Sequence, residues 1–128
     1  MSSINDPIGD LLTRMRNAQA ARRKTTSAPL SRIKRELCDL MVKEGWLEKV
    51  EVTGDAPKLF LEITFVPGKT LILKRMSTPG RRLYAAVKEL DPVLRGYGQA
   101  ILTTSAGLMT DTQARAQKMG GEVLCTIA

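Results

Sequence analysis

Histidine is absent from the 128-residue chain, and with it the commonest general base and proton shuttle of hydrolytic enzymes. Only two cysteines occur, Cys38 and Cys125, too few on their own to furnish the four Cys/His ligands of a structural zinc site. Cys38 falls inside a helical pattern and Cys125 inside a strand pattern, so both read as buried, reduced thiols of a cytosolic protein. Neither a metal nor a cofactor is expected. No run approaches the roughly 20 apolar residues of a membrane span. The start, MSSINDPIGDLLTRMRN, reaches charged residues too early for a secretory signal, so a cytoplasmic chain without membrane contact is expected. Internal repeats and low-complexity segments are also missing.

What is present is a core and a positive charge. A hydrophobic content of 43% is enough for a folded chain of one domain or two very small ones. The net charge of +7 and the pI of about 9.8 favour polyanionic partners, or else reflect a surface solubilised by lysines. The charge is uneven: residues 1–66 carry eleven basic and nine acidic side chains, residues 67–128 nine and four.

The first segment, DPIGDLLTRMRNAQ, has Asp6 as an N-cap and Pro7 in the first turn, with Ile8, Leu11, Leu12 and Met15 at helical spacing. A helix over residues 6–20 follows, then the extended stretch RRKTTSAPL. Ser31 caps a second helix whose stripe of Ile33, Leu37, Leu40, Met41 and Glu44 ends at Gly45. From Trp46 the period changes to two, with strands expected at 46–53, 58–66 and 70–76 between the turns TGDAP and PGK. STPGRR then breaks the chain into domains 1–76 and 77–128. Beyond it come a strand RLYAAV, an irregular KELDPVLRGYG, a strand QAILTT, a helix TDTQARAQKM and a final strand EVLCTI. The fold class is α+β: two small α/β subdomains, with helices packed on antiparallel or mixed sheets.

Two stretches of the basic half carry candidate binding chemistry. TTSAGLMTD, Thr103 to Asp111, reads as a strand exit approaching a helix, and Thr110 with Gln113 has capping-box spacing. Thr103, Thr104 and Ser105 remain, ahead of Gly107, whose bare backbone lets another molecule approach. Short hydroxyls on a rigid turn suit the shallow minor groove of A-form RNA, with its ribose hydroxyls and base edges; they also suit an ordinary Thr-rich strand end. LKRMSTPGRRLYA sets Lys74, Arg75, Arg81 and Arg82 around a Ser-Thr-Pro-Gly turn and follows it with Tyr84. The cations suit phosphate, and Tyr84 is either a stacking platform or a core residue.

These motifs, in order, resemble a known family. DPIGDLLTRMRNA, LKRMSTPGRRLY, GYGQAILTTSAGLMTDTQAR and GGEVLC are similar to those of bacterial small-subunit ribosomal protein number eight, almost end to end. The resemblance implies a two-domain chain without enzymatic activity, a primary binder of the central domain of small-subunit ribosomal RNA. It implies a C-terminal domain that grips an irregular RNA helix through its minor groove, beside neighbouring ribosomal proteins. The family's turn element falls on Ser77, Thr78, Gly80 and Arg82, its tyrosine on Tyr84, its hydroxyl loop on Thr103, Thr104, Ser105 and Gly107, and its acid on Glu122. A carboxylate is repelled by phosphate, so the role implied for Glu122 is to accept from a base edge or to orient the hydroxyl loop. Many members have a basic residue where this chain has Ala106, and many end in an aromatic where it ends in TIA, which puts one phosphate contact and one terminal packing contact in question. Arg14, Arg16 and Lys58 are candidates for a secondary contact with RNA or with a protein. Two other classes compete: a duplex-RNA module that reads only shape, and a small enzyme built on carboxylates such as Asp111 and Glu122, although Asp111 in a helix's first turn is accounted for by the dipole.

Overall fold

Pro7 opens the first helix, and apolar residues three and four apart give it one greasy face. In a computed structural model that describes residues 6–77, 80, 84–85 and 98–128, α1 runs Pro7–Ala20 and buries Ile8, Leu11, Leu12, Met15 and Ala18. Thr78, Arg81, Arg82 and most of RLYAAV and KELDPVLRGYG lie outside the described residues. Strand β1 (Thr25–Pro29) follows, and then α2 (Arg32–Lys43), whose N-cap Ser31 accepts a hydrogen bond from Lys34 N. Gly45, at φ +85°, lets the chain leave the helix where the stripe ends. Strands β2 (Leu47–Asp55) and β3 (Lys58–Phe65) complete an antiparallel sheet of order β1-β3-β2. Ala28, Leu61 and Ile63 are fully buried on the face covered by the helices, while Ser27, Glu51 and Glu62 line the other face.

The remaining elements are β4 (Leu73–Arg75), β5 (Tyr84–Ala85), β6 (Gln99–Thr104), β7 (Gly107–Thr110), α3 (Asp111–Gln117) and β8 (Gly121–Ile127). They form a five-stranded antiparallel sheet of order β4-β8-β6-β7, with β5 on β8 as well. Ala114 of α3 packs with Ala100, Leu102, Met109 and Val123, flanked by Met76 and Met119. The chain divides into two compact units, Pro7–Leu71 and Ile72–Ala128, the second taking Asp6 as well. The α+β class is as expected, and every described strand pairing is antiparallel. No helix among the described residues is long and apolar enough to cross a membrane.

Asp6, expected at the N-cap of α1, also pairs at long range: its two carboxylate oxygens accept from Arg75 Nε (3.1 Å) and Nη2 (2.6 Å). Two local expectations are corrected. The strand expected over 70–76 is confined to Leu73–Arg75: Leu71 N donates to Gln19 Oε1 at one end, and Met76 N and Ser77 N both turn onto Leu124 O at the other. The GLMT segment is strand β7, not a connection between strand and helix. At the C-terminus, Ile127 is fully buried, and Ala128 and Ile72 exchange both backbone hydrogen bonds, so the chain end is held without an aromatic residue. Cys38 and Cys125 are free and fully buried, and desolvation pushes both thiols up to about 12.

Lys34 is the charged residue that the helical stripe did not disclose. It is 6% exposed, and its ammonium donates to Asp10 Oδ2 (3.2 Å) and to Pro29 O (3.4 Å). Burial raises the Asp10 pKa, but hydrogen bonds from Arg14 and Lys34 outweigh it, and the net shift is downward from 3.8. The folded value lies below the unfolded one, so the stabilisation is complete above 3.8 and is lost as pH falls through the depressed folded value. Removing the carboxylate strands a buried ammonium, whereas removing the ammonium strands nothing. In urea melts at pH 7, Asp10→Ala should therefore cost on the order of 1–3 kcal/mol and Lys34→Met less. The Asp10→Ala deficit should shrink in strong acid. A larger loss for Lys34→Met would contradict this account.

Candidate nucleic-acid interface

Strand β8 organises the second unit, because β6 pairs along one edge and β4 and β5 share the other. The β6–β8 register runs Ile101↔Cys125 and then Leu102↔Val123, so Leu124 is an extra residue, a bulge. Its carbonyl accepts from Met76 N (3.0 Å), Ser77 N (3.3 Å) and Arg75 Nη1 (3.4 Å). That convergence carries Ser77 to Glu122, two residues before the bulge, and Ser77 Oγ donates to Glu122 Oε2 at 2.6 Å. Ser77 is fully buried and Glu122 is 8% exposed. In the structure both side chains are thus turned inward and hold one another.

Glu122 also lies in a row that crosses four strands: Tyr84↔Glu122, Glu122↔Thr103 and Thr103↔Leu108. Tyr84 is 69% exposed, which rules out the core reading of that residue and presents its ring to solvent beside the buried carboxylate. Thr103 is half-buried. Gly121 keeps β8 against β6, because a Cβ there would collide with the Thr103 carbonyl and crowd the Thr104 methyl. It is a requirement that the sequence reading quoted only as part of GGEVLC.

The hydroxyl stretch is the tip of the β6–β7 hairpin. Thr104 pairs with Gly107, leaving Ser105 and Ala106 as a two-residue loop. Thr104 Oγ1 accepts from Ala106 N (3.1 Å) and donates to Gly107 O (3.0 Å), so it closes the turn. Gly107, at φ +104° in open space, is glycine for backbone reasons alone. Ser105, Ala106 and Gly107 are exposed, and no hydrogen bond engages the Ser105 side chain among the described residues. Gly80 is exposed as well, whereas Thr78 and Arg82 lie outside the described residues.

The carboxylates nearest the tip have structural occupations. Thr110 and Gln113 form the expected reciprocal capping box (3.2 and 3.0 Å). Asp111, 2% exposed, accepts from Ala100 N (3.3 Å) and from Arg115 Nη2 (3.0 Å). Among the described residues, no three His, Cys, Asp or Glu side chains converge to hold a metal ion. The arrangement offers donors, backbone and one aromatic face, the means of recognition.

Comparison with known proteins agrees with the motif order. The sequence pattern of the family described as Ribosomal protein S8 matches residues 6–128. Proteins named small ribosomal subunit protein uS8 are 46% identical in Pseudomonas entomophila, 46% in Azorhizobium caulinodans and 43% in Cereibacter sphaeroides, each alignment covering 98% of both chains. The chain belongs to the ribosomal protein S8 family. Its role is structural, within the small ribosomal subunit, and it is not an enzyme.

The Ser77–Glu122 bond is buried and charge-assisted, so Ser77→Ala should lower stability by about 1.5–3 kcal/mol. Urea denaturation measures this. Unchanged stability would mean that the carboxylate does not depend on the hydroxyl.

Proposed function

We propose that the chain is a primary binder of the central domain of small-subunit ribosomal RNA. In this reading it supports subunit assembly beside neighbouring ribosomal proteins, and it works in the cytoplasm as part of the ribosome. The supporting observation is the exposed pair formed by the Ser105–Gly107 tip and the Tyr84 ring, both borne by strands hydrogen-bonded into one sheet. A rigid tip with a short hydroxyl and unhindered backbone suits a shallow minor groove, where long side chains gain nothing. Tyr84 supplies a face for an unstacked base or a ribose. In this reading Thr78, Gly80 and Arg82, which follow Ser77 in the sequence, join the contact, and the Arg82 cation supplies the phosphate contact.

The sites divide by role. Ser105 and the Gly107 backbone donate or admit the groove; Thr103 lies beneath them. Thr104 shapes the hairpin. Glu122, tied to Ser77, orients the Tyr84 and Thr103 strands and is a positioning residue in this reading. Arg14, raised as a secondary contact, is engaged with Asp10 (3.0 Å) and with Ser27 O (3.3 Å), while Arg16 and Lys58 are exposed.

Salt separates recognition from simple charge attraction. Arg82→Ala should weaken binding to every RNA and flatten the plot of log affinity against log salt by somewhat under one unit. Ser105→Ala should cost on the order of 1–3 kcal/mol on the cognate RNA, leave the slope unchanged and barely affect a random duplex. Paired titrations on a central-domain fragment and a random duplex of equal length make the test. Equal binding of both RNAs by the parent would identify a reader of shape alone. A Ser105→Ala protein that melts lower yet binds as tightly would make the hydroxyl structural.

A further inference from the structure

Asp6 stands one residue ahead of α1 but belongs to the second unit, with Ile72–Ala128. Arg75, the last residue of β4, ties it there. The guanidinium is divided between two partners. Its Nε and Nη2 donate to the two carboxylate oxygens of Asp6 (3.1 and 2.6 Å), and its Nη1 donates to Leu124 O (3.4 Å). The pair is largely out of solvent, the Arg75 side chain 16% and the Asp6 side chain 30% exposed.

Leu124 O is the bulged carbonyl of β8, which also receives Met76 N (3.0 Å) and Ser77 N (3.3 Å) and so delivers Ser77 to Glu122. Arg75 pairs in the sheet with Cys125, on one side of the bulge. On the other side, Glu122 pairs with Tyr84 and with Thr103. A continuous run of hydrogen bonds therefore leads from Asp6 through Arg75, Leu124 and Ser77 to the carboxylate that lies between the Tyr84 and Thr103 strands. Deprived of Asp6, the largely desolvated guanidinium keeps one long bond to a carbonyl and loses that counter-charge, so it is driven toward water and away from the bulge.

We propose that Asp6 is a positioning residue for RNA recognition: it holds Arg75 on the bulged carbonyl, and through that joint it sets the Ser77–Glu122 pair and the strands that carry Tyr84 and Thr103. This rests on the reading of the chain as an RNA binder. It also takes Arg75 out of the set of cations that meet phosphate, since a guanidinium shared between a carboxylate and a carbonyl spends its charge inside the chain. Charge alone predicts the reverse. Removing an acid from a chain of net charge +7 strengthens its attraction to a polyanion and releases Arg75 to bind phosphate. Asn serves a helix N-cap as well as Asp does, so Asp6→Asn removes the ion pair and leaves the start of α1 capped.

The test is binding of the full chain to a central-domain fragment of small-subunit ribosomal RNA and to a random duplex of equal length. Both are titrated over a range of salt, well below the melting temperature of each variant. Asp6→Asn should bind the fragment about fivefold to tenfold more weakly and leave the slope of log affinity against log salt unchanged. Arg75→Lys keeps the charge but loses the fork, and should lose affinity to a similar degree. The double variant should bind no more weakly than the weaker single one, because both residues act through one joint. Asp6→Glu, which restores a carboxylate, should recover part of the loss. Amide NMR spectra of Asp6→Asn should show shifts at Met76, Ser77, Glu122 and Leu124, with Leu61 and Ile63 of the first sheet unmoved. Binding by Asp6→Asn as tight as the parent's, or tighter, overturns the assignment; if that variant also melts lower, the ion pair is structural only. A parent that binds both RNAs equally removes the functional reading and this assignment with it. A parent that prefers the fragment, beside an Asp6→Asn protein that binds it equally well, removes this assignment alone.

Discussion

One seven-residue strand sets the geometry of the second unit. Each residue of β8 has two backbone edges, and between them they serve β4, β5 and β6. An undistorted strand would keep one register along both edges. The bulge at Leu124 breaks that register in the middle, so the residues before it face a different set of partners from those after it. The later residues build the end of the sheet, with Ile127 in the core and Ala128 locked to Ile72. The earlier ones, Gly121 and Glu122, set the spacing of Thr103 and Tyr84. The bulged carbonyl collects two backbone amides and a guanidinium, which makes the distortion a fixed joint.

That joint resolves an electrostatic conflict. A carboxylate in a binding surface for a polyanion would ordinarily repel it. Here the Glu122 carboxylate is buried and held by Ser77, while Tyr84, paired with it in the same row, is exposed. The acid therefore spends its hydrogen-bonding capacity on aligning strands.

Helices were legible because their signals are local. The 3.6-residue spacing of Leu11, Leu12 and Met15, the Ser31 cap and the Thr110–Gln113 box all act within one or two turns. The departures come from pairings that sequence spacing does not carry. Asp6 pairs with Arg75, 69 residues away. Ser77 and Glu122 are 45 residues apart, and Lys34 meets Asp10 across 24. Strand β7 was hidden because its turn is Ser105-Ala106, without the Asn-Gly or Asp-Gly that announces a two-residue hairpin; the conformational burden falls instead on Thr104 and Gly107. Of the candidate site, the short hydroxyls ahead of Gly107 were readable from residue type, whereas Tyr84 was open between core and surface, and the inward turn of Ser77 and Glu122 followed from a bulge that no residue in β8 advertises.

The burial of both native thiols makes the central claim directly measurable, because a cysteine placed on the hairpin tip is the one that a reagent meets in the native chain. Ser105→Cys, tethered to an iron chelate that cleaves nearby nucleic-acid backbone, reports which nucleotides the tip approaches. On complete small-subunit ribosomal RNA, the account predicts cleavage confined to one short irregular helix of the central domain, on both strands across its minor groove. Cleavage scattered over many duplexes, or none above the untethered chelate, would contradict the claim that this tip recognises RNA.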